Sequence, residues 1–452
     1  MNEPINPQEL FSAEIINYPV DTEKLGKINY VNLDNAATTP PFKCVEEGVK
    51  KYLESYGSVH RGAGAKSIVS TDIYEQSREY IKTFVNAPAD SYVMFTGNTT
   101  GAMNMAAYFF SFIPGKILVS EIEHSSSWLP WIKSEGIKFV GKERLPLDEL
   151  ENINQKVQNR GREYVLQYHI NDQFEFDLET IEEQLRENRI KALVLTASSN
   201  LTGYCPDIKK ISTLTHRYGA YLIVDACQYL QHHELDMTEL GIDFLAASGH
   251  KFYAPYGGGF LIGPKKFLDK FLPYQIGGGN LPYITDGDEF IRYQNVQAHD
   301  PGTPNAVGAI AMDLALKQLR ELGFNNIIAH ERHLTRKAFE YMAQNPAIKL
   351  YTNDTHLNTV IPFNAIGQSA TAIAEKLNKQ YGIGVRAGSF CVYHVVRKLL
   401  KIENESQIVA EVKNGNTDNI PALVRISFGL GNNEEDVDRL IMALNELTQS
   451  NK

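Results

Sequence analysis

Long apolar runs are what this sequence most clearly lacks. The best of them, Met103–Ile113 (MNMAAYFFSFI), falls well short of the roughly 20 residues a helix needs to cross a bilayer. The N-terminal MNEPINPQELFSAE is acidic and polar, unlike a secretory signal, so neither export nor membrane attachment is expected. Cysteine is scarce as well. Cys44, Cys205, Cys227 and Cys391 in 452 residues make no disulfide framework, and their spacing fits no metal site. The expected setting is cytoplasmic, with thiols reduced. Positive charge is not in excess: the formal net charge is -10 and no basic tract stands out, which argues against nucleic acid as a partner. Internal repeats and low-complexity segments are also missing.

What the chain does have is alternation. Short, nearly continuous apolar runs (YVMFT, KILVSEIE, KALVLTA, AYLIVDA, DFLAAS and GGFLIG) recur between about Tyr30 and Gly263. Such runs suit strands covered on both faces. Between them lie amphipathic stretches such as TTGAMNMAAYFFSF, LETIEEQLREN and ISTLTHRYG, which read as helices. Strand, helix, strand in that order predicts an α/β fold with a mostly parallel sheet. After about Pro301 the texture changes, and the long helical stretch AVGAIAMDLALKQLRELG leads into a second, smaller α+β region. The expected division is 28–303 for a large α/β domain and 304–452, joined by 1–27, for a small one. Two polar stretches, 152–171 and 403–419, read as insertions or mobile loops.

Several of the apolar runs end in a residue fit for chemistry: His124, Asn200, Asp225 and the group Ser248-Gly249-His250-Lys251. In an open parallel sheet, ligands bind outside the carboxyl ends of the strands, so these residues are expected in one crevice. A lysine set among aromatic residues and glycines, in SGHKFYAPYGGG, suits an amine that forms an imine. If Lys251 carries pyridoxal 5'-phosphate, the phosphate needs N–H and hydroxyl donors. Thr99 and Thr100 supply them where a strand hands over to a helix, although threonine also favours such positions as a plain cap. Ser248 and His250 add donors. Asp225 is placed to keep a pyridine nitrogen protonated, unless it is an ordinary turn residue. Gln228 is within reach of the ring hydroxyl. His124 is suited to stacking and proton exchange, or is a structural histidine. His232 and His233 lack companion ligands and read as a loop pair.

The segments NLDNAATTP, GSVHRGAGAKS, FTGNTTGAMN, SEIEHSSSWLPW, SSNLTG, VDACQ, SGHKFYAPYGGG, GTPNAVG and VRAGSFC resemble, in order, the blocks of class V aminotransferase-like enzymes. They are most similar to the cysteine desulfurase and selenocysteine lyase branch. The resemblance runs from about residue 28 to the end and implies the type I fold of pyridoxal-phosphate transferases. It implies Lys251 as the imine lysine, Asp225 as the pyridinium partner, Gln228 at the ring hydroxyl and His124 stacked on the ring. Asn200 then lies beside the ring oxygen and the substrate carboxylate, with Thr99, Thr100, Ser248 and His250 around the phosphate. Thr303 would reach the phosphate from a second subunit, which implies a homodimer. Arg425 would clamp the substrate carboxylate through a bidentate pair, and His60, Arg61 and Arg386 would line the substrate side.

Cys391, five residues after Arg386, stands where the desulfurase pattern has its nucleophile. Its thiolate, favoured by Arg386 and His394, would attack the substrate sulfur and keep it as a persulfide for an acceptor. A free cysteine also packs as a small apolar residue. The chain departs from the pattern at three points: Ser125 replaces a second histidine, VYHVVRKLL follows Cys391, and the span to Arg425 is long. The expected activity is conversion of L-cysteine to L-alanine with passage of sulfur to an acceptor protein. The alternatives are a C–S lyase, epimerase or aminotransferase-like enzyme on a related amino acid with Cys391 idle, and a non-catalytic binding protein, against which the Lys251 and Asp225 pair argues.

Overall fold

The computed structural model describes residues 5–140, 152–417 and 419–449. The outermost residues of the expected second domain and position 418 of the expected 403–419 insertion lie outside the described residues. Seven strands form the central sheet: β1 (Ser91–Thr96), β2 (Lys116–Ser120), β3 (Val165–Tyr168), β4 (Ile190–Thr196), β5 (Tyr221–Asp225), β6 (Phe244–Ser248) and β7 (Gly259–Pro264). Their order across the sheet is β1-β7-β6-β5-β4-β2-β3. The pairs from β6 to β3 are parallel, and β7 runs antiparallel to both neighbours. The six apolar runs of the sequence are six of these strands. Side chains alternate across them: Leu118, Leu193, Leu195, Val224 and Leu245 enter one apolar layer, and Val119, Ala192, Val194, Ile223 and Phe244 the other. Every residue of β4 is buried, which is why the run shows no polar alternation.

The polar stretch 152–171 is not a loop. It holds a helix, Ile153–Arg162, and the edge strand β3. Gly136 and Gly161 let this helix lie directly on Ser125–Val140, because a Cβ on either glycine would overlap a backbone carbonyl of the other helix. The second polar stretch also carries a helix, Glu405–Lys413, none of whose residues is buried.

A second core is built on the antiparallel sheet of β8 (Ile348–Leu350), β9 (Val360–Ala365), β10 (Arg386–Gly388) and β11 (Leu423–Ser427), in the order β8-β9-β11-β10. Ile361, Phe363, Val424 and Ile426 meet Leu334, Ile373, Leu440 and Leu444 from flanking helices. Val31 and Leu33 from the N-terminal part belong to this core, and Val31–Asn32 pairs in parallel with Ile383–Gly384. The helix Ala306–Leu322 packs instead on Lys43–Glu54 and Ala65–Phe84, with Met312, Leu316 and Leu319 in the first core. No described helix is long and apolar enough to cross a membrane.

Candidate active site

In the register of the sheet, Thr196 pairs with Asp225, and Asp225 with Ala246, so the carboxyl ends of β4, β5 and β6 lie side by side. A crevice of about 370 Å³ opens there. Of the expected residues, Thr99, Thr100, His124, Asn200, Asp225, Gln228, Ser248, His250, Lys251, Arg386, Cys391 and Arg425 all line it. Lys251 ends the single 3₁₀ turn Gly249–Lys251 that follows β6, which carries its side chain from the sheet to the crevice.

Asp225 is buried at the floor. One carboxylate oxygen accepts a short hydrogen bond from Ser127 Oγ, and the other accepts the Cys227 amide at 2.9 Å. Behind it, Glu123 accepts from Ser120 Oγ at 2.8 Å and from the Thr196 amide at 2.6 Å. Complete burial, with the charge of Asp225 nearby, pushes the Glu123 carboxyl up to about 8. Glu123 is therefore neutral at physiological pH and adds no second negative charge behind Asp225.

His124 Nδ1 accepts the Ser126 amide at 3.1 Å, so a neutral ring carries its proton on Nε2. Burial, with a contribution from Lys251, lowers His124 to about 4, which keeps it neutral. Burial and Lys251 lower His250 to about 4 as well. Gln228 Nε2 donates to the Ala36 carbonyl at 2.5 Å, fixing that side chain against the N-terminal segment.

At the start of Thr99–Ser111, Asn98 caps the Gly101 amide at 2.9 Å, and the first-turn amides of Thr99 and Thr100 have no acceptor within the helix. Thr100 Oγ1 shares a 2.7 Å hydrogen bond with Ser126 Oγ. Ser248 Oγ is buried without any partner. A buried hydroxyl left unpaired beside a helix N-terminus is what a phosphate would satisfy. These residues fit pyridoxal phosphate: an anion cradle at one end, a carboxylate on the floor and an amine between them.

Arg425 is buried on β11. It donates to the Asn200 carbonyl at 2.9 Å and to Asp34 at 3.1 Å, while its Nε has no partner. Burial, partly offset by Asp34, lowers it to about 10. Arg386 donates to the same carboxylate at 3.0 Å. Asp34, in the segment NLDNAATTP, was not singled out by sequence reasoning; its place between two arginines is visible only in the fold.

Cys391 is exposed at the mouth of the crevice. Its carbonyl accepts from both the amide and the hydroxyl of Ser125, at 2.9 and 2.8 Å. Asn200 Nδ2 donates to the Phe390 carbonyl at 3.0 Å, and the Phe390 ring lies 4.8 Å from the Arg425 guanidinium. His394 does not supply a cation to this thiol: burial and Arg397 lower it, and its Nδ1 accepts from Arg397 at 2.9 Å. Cys227 lines the crevice too, with Thr99 Oγ1 donating to its Sγ at 3.2 Å. Burial pushes its thiol up, which makes it a poor nucleophile.

Three expected residues are not brought to the crevice of the single chain. His60 bonds Glu75 at 2.7 Å, and Arg61 donates to the carbonyls of Gly278 and Gly302 at 3.2 and 2.6 Å. Thr303, next to Gly302, is exposed. They form a second group of their own. His232, expected in a loop pair, is buried and joins Glu331 at 2.8 Å, which ties the first core to the helix Phe324–Gln344.

The doubly covered sheet and the lysine, aspartate and anion cradle at its strand ends define an α/β enzyme of the aminotransferase type. The chain belongs to the class V aminotransferase family, whose model matches residues 31–153 and 151–440. Among curated relatives, a probable cysteine desulfurase of Synechocystis is 31% identical over 83% of this chain and 85% of its own length. The cysteine desulfurase CsdA of Escherichia coli is 30% identical over 92% of this chain and 93% of its own. Among solved structures, CsdA from Escherichia coli in an S-sulfonic acid form superposes with a TM-score of 0.75 at 27% identity, covering 98% of both chains. An apo cysteine desulfurase from Thermococcus onnurineus gives 0.77 at 26% identity, over 93% of this chain and 95% of its own. The protein thus stands in the cysteine desulfurase branch of the family.

Proposed function

We propose that the protein is a pyridoxal-phosphate-dependent cysteine desulfurase that converts L-cysteine to L-alanine and holds the released sulfur on Cys391. The observation that carries this reading is that Cys391 lines the same crevice as Lys251 and Asp225. The bound cofactor supplies an electron sink for the substrate's Cα. Lys251 would hold the cofactor through its amine, Asp225 would keep its ring nitrogen protonated, and Thr99, Thr100, Ser248 and His250 would take its phosphate. His124, neutral with its proton on Nε2, would stack on the cofactor ring and could offer that proton to the substrate.

Arg425 and Asn200 bind the substrate carboxylate, with Asp34 giving way as the carboxylate arrives. The Cys391 thiolate then attacks the substrate sulfur. A sulfur–sulfur bond forms, the carbon–sulfur bond breaks, and its electron pair stays on carbon, which takes up a proton to become the methyl group of alanine. The persulfide sulfur passes to the thiol of an acceptor protein. The exposed group of Arg61 and Thr303 supports a homodimer in which each subunit completes the other's site.

The deciding experiment quantifies alanine, pyruvate and sulfide from L-cysteine and a reductant for wild type, Cys391→Ala and Lys251→Ala. Equal alanine and sulfide, lost in Cys391→Ala while its cofactor absorbance band remains, is the expected result. Pyruvate and sulfide undiminished in Cys391→Ala would make the protein a C–S lyase instead. Lys251→Ala is expected to lose the imine band together with all turnover.

A further inference from the structure

The loop carrying Cys391 is held in a conformation its own residues disfavour. Phe390 and Cys391 are consecutive non-glycine residues with φ of 53° and 59°, both in the left-handed region. Something outside the loop must hold them there. Asn200 holds the Phe390 carbonyl, and the Arg425 guanidinium lies against the Phe390 ring, but both residues already serve the substrate carboxylate. A further holder is Ser125. It directly follows His124 and opens the helix Ser125–Val140, so its amide is free of intrahelical bonds. That amide and the Ser125 hydroxyl both point at one acceptor, the Cys391 carbonyl.

We propose that Ser125 is a positioning residue for the sulfur-accepting thiol: its two donors lock the Cys391 carbonyl and so fix where the thiol stands relative to the carboxylate clamp at Arg425. The proposal rests on the reading of Cys391 as the nucleophile. The link is geometric. Phe390 packs on the clamp and Cys391 follows it, so a loop pinned at the Cys391 carbonyl keeps thiol and carboxylate site in register. The substrate's sulfur and carboxylate are themselves a fixed number of bonds apart, and a loop free to relax would lose that match.

The test compares wild type, Ser125→Ala and Ser125→Thr as cofactor-loaded full chains. Amide hydrogen exchange is followed across 389–393, alongside kcat and KM for alanine formation from L-cysteine. Ser125→Ala keeps the amide donor and loses the hydroxyl. Loop exchange is expected to rise and kcat to fall, each by about fivefold, as befits one lost hydrogen bond. KM should stay within about twofold, because the carboxylate clamp is untouched. Ser125→Thr, which restores a hydroxyl at a half-buried site, should recover both. Unchanged loop exchange in Ser125→Ala, or failure of Ser125→Thr to recover it, would overturn the proposal. So would a rise spread along Ser125–Val140, which would mark a helix-stability effect. Should Cys391→Ala continue to form alanine, the nucleophile reading fails, yet loop exchange still decides whether Ser125 is the clamp.

Discussion

At the scale of single residues, the site is defined as much by which groups are kept neutral as by which are charged. Glu123 is the case that can be tested. Its folded value of about 8 lies above its ordinary 4.5. Between those values the native state holds a proton that the unfolded chain has released, so native stability falls as pH rises through that window. The stability from this group is complete below about 4.5 and lost above about 8. Glu123→Gln is neutral at every pH and has no such loss. The melting temperature of the variant minus that of wild type should therefore climb between pH 5 and 8 and level off above, as thermal denaturation across pH would show. A flat difference would mean that Glu123 is ionised in the native protein.

At the scale of elements, the helix Ile153–Arg162 shows why part of the fold was hidden in the sequence. It is mostly polar and has only Gly161 buried, so composition points to a loop. What docks it is backbone proximity at Gly136 and Gly161, which no hydrophobic pattern encodes. Gly161→Ala or Gly136→Ala should destabilise the protein by about 1–3 kcal/mol, through overpacking against a carbonyl that cannot easily move. Chemical denaturation would measure it, and a loss under about 0.5 kcal/mol, the usual range for a surface change, would mean that the two helices separate freely. The strands were legible for the opposite reason. Buried on both faces, they had to be apolar throughout, and β3 escaped because it is a half-buried edge strand with a glutamine in it. The same contrast runs through the site. His124, Asp225, Asn200 and Lys251 could be read because each follows or ends a recognisable strand. Asp34 and Ser125 could not. Their partners Arg425 and Cys391 lie 391 and 266 positions away, and only folding makes them neighbours.

At the scale of the whole molecule, a run of exposed apolar side chains bears on the proposed homodimer. Leu272, Tyr274, Ile276, Tyr283, Ile284, Phe290 and Ile291 are all exposed, and they lie in the segment that leads to Thr303. Large exposed apolar patches mark association surfaces. Sedimentation should give twice the 50.8 kDa of one chain, and paired charge substitutions such as Tyr283→Glu with Ile291→Lys should weaken that association and turnover together. A monomer with full activity would exclude shared sites.

The pairing of Val31–Asn32 with Ile383–Gly384 has a consequence for the order in which the protein becomes an enzyme. Asp34 is synthesised long before Arg425, 391 positions further on, and their contact needs both segments. The central sheet can assemble while synthesis continues, because its strands all lie between residues 91 and 264. The second core cannot, since β11 and the helix Glu434–Gln449 are synthesised long after the central sheet. A chain synthesised only as far as residue 264 therefore already holds Lys251 and Asp225 but lacks Cys391 and Arg425. Under the proposed roles, Lys251 and Asp225 stand at a sheet that can form before the segment carrying Arg425 exists.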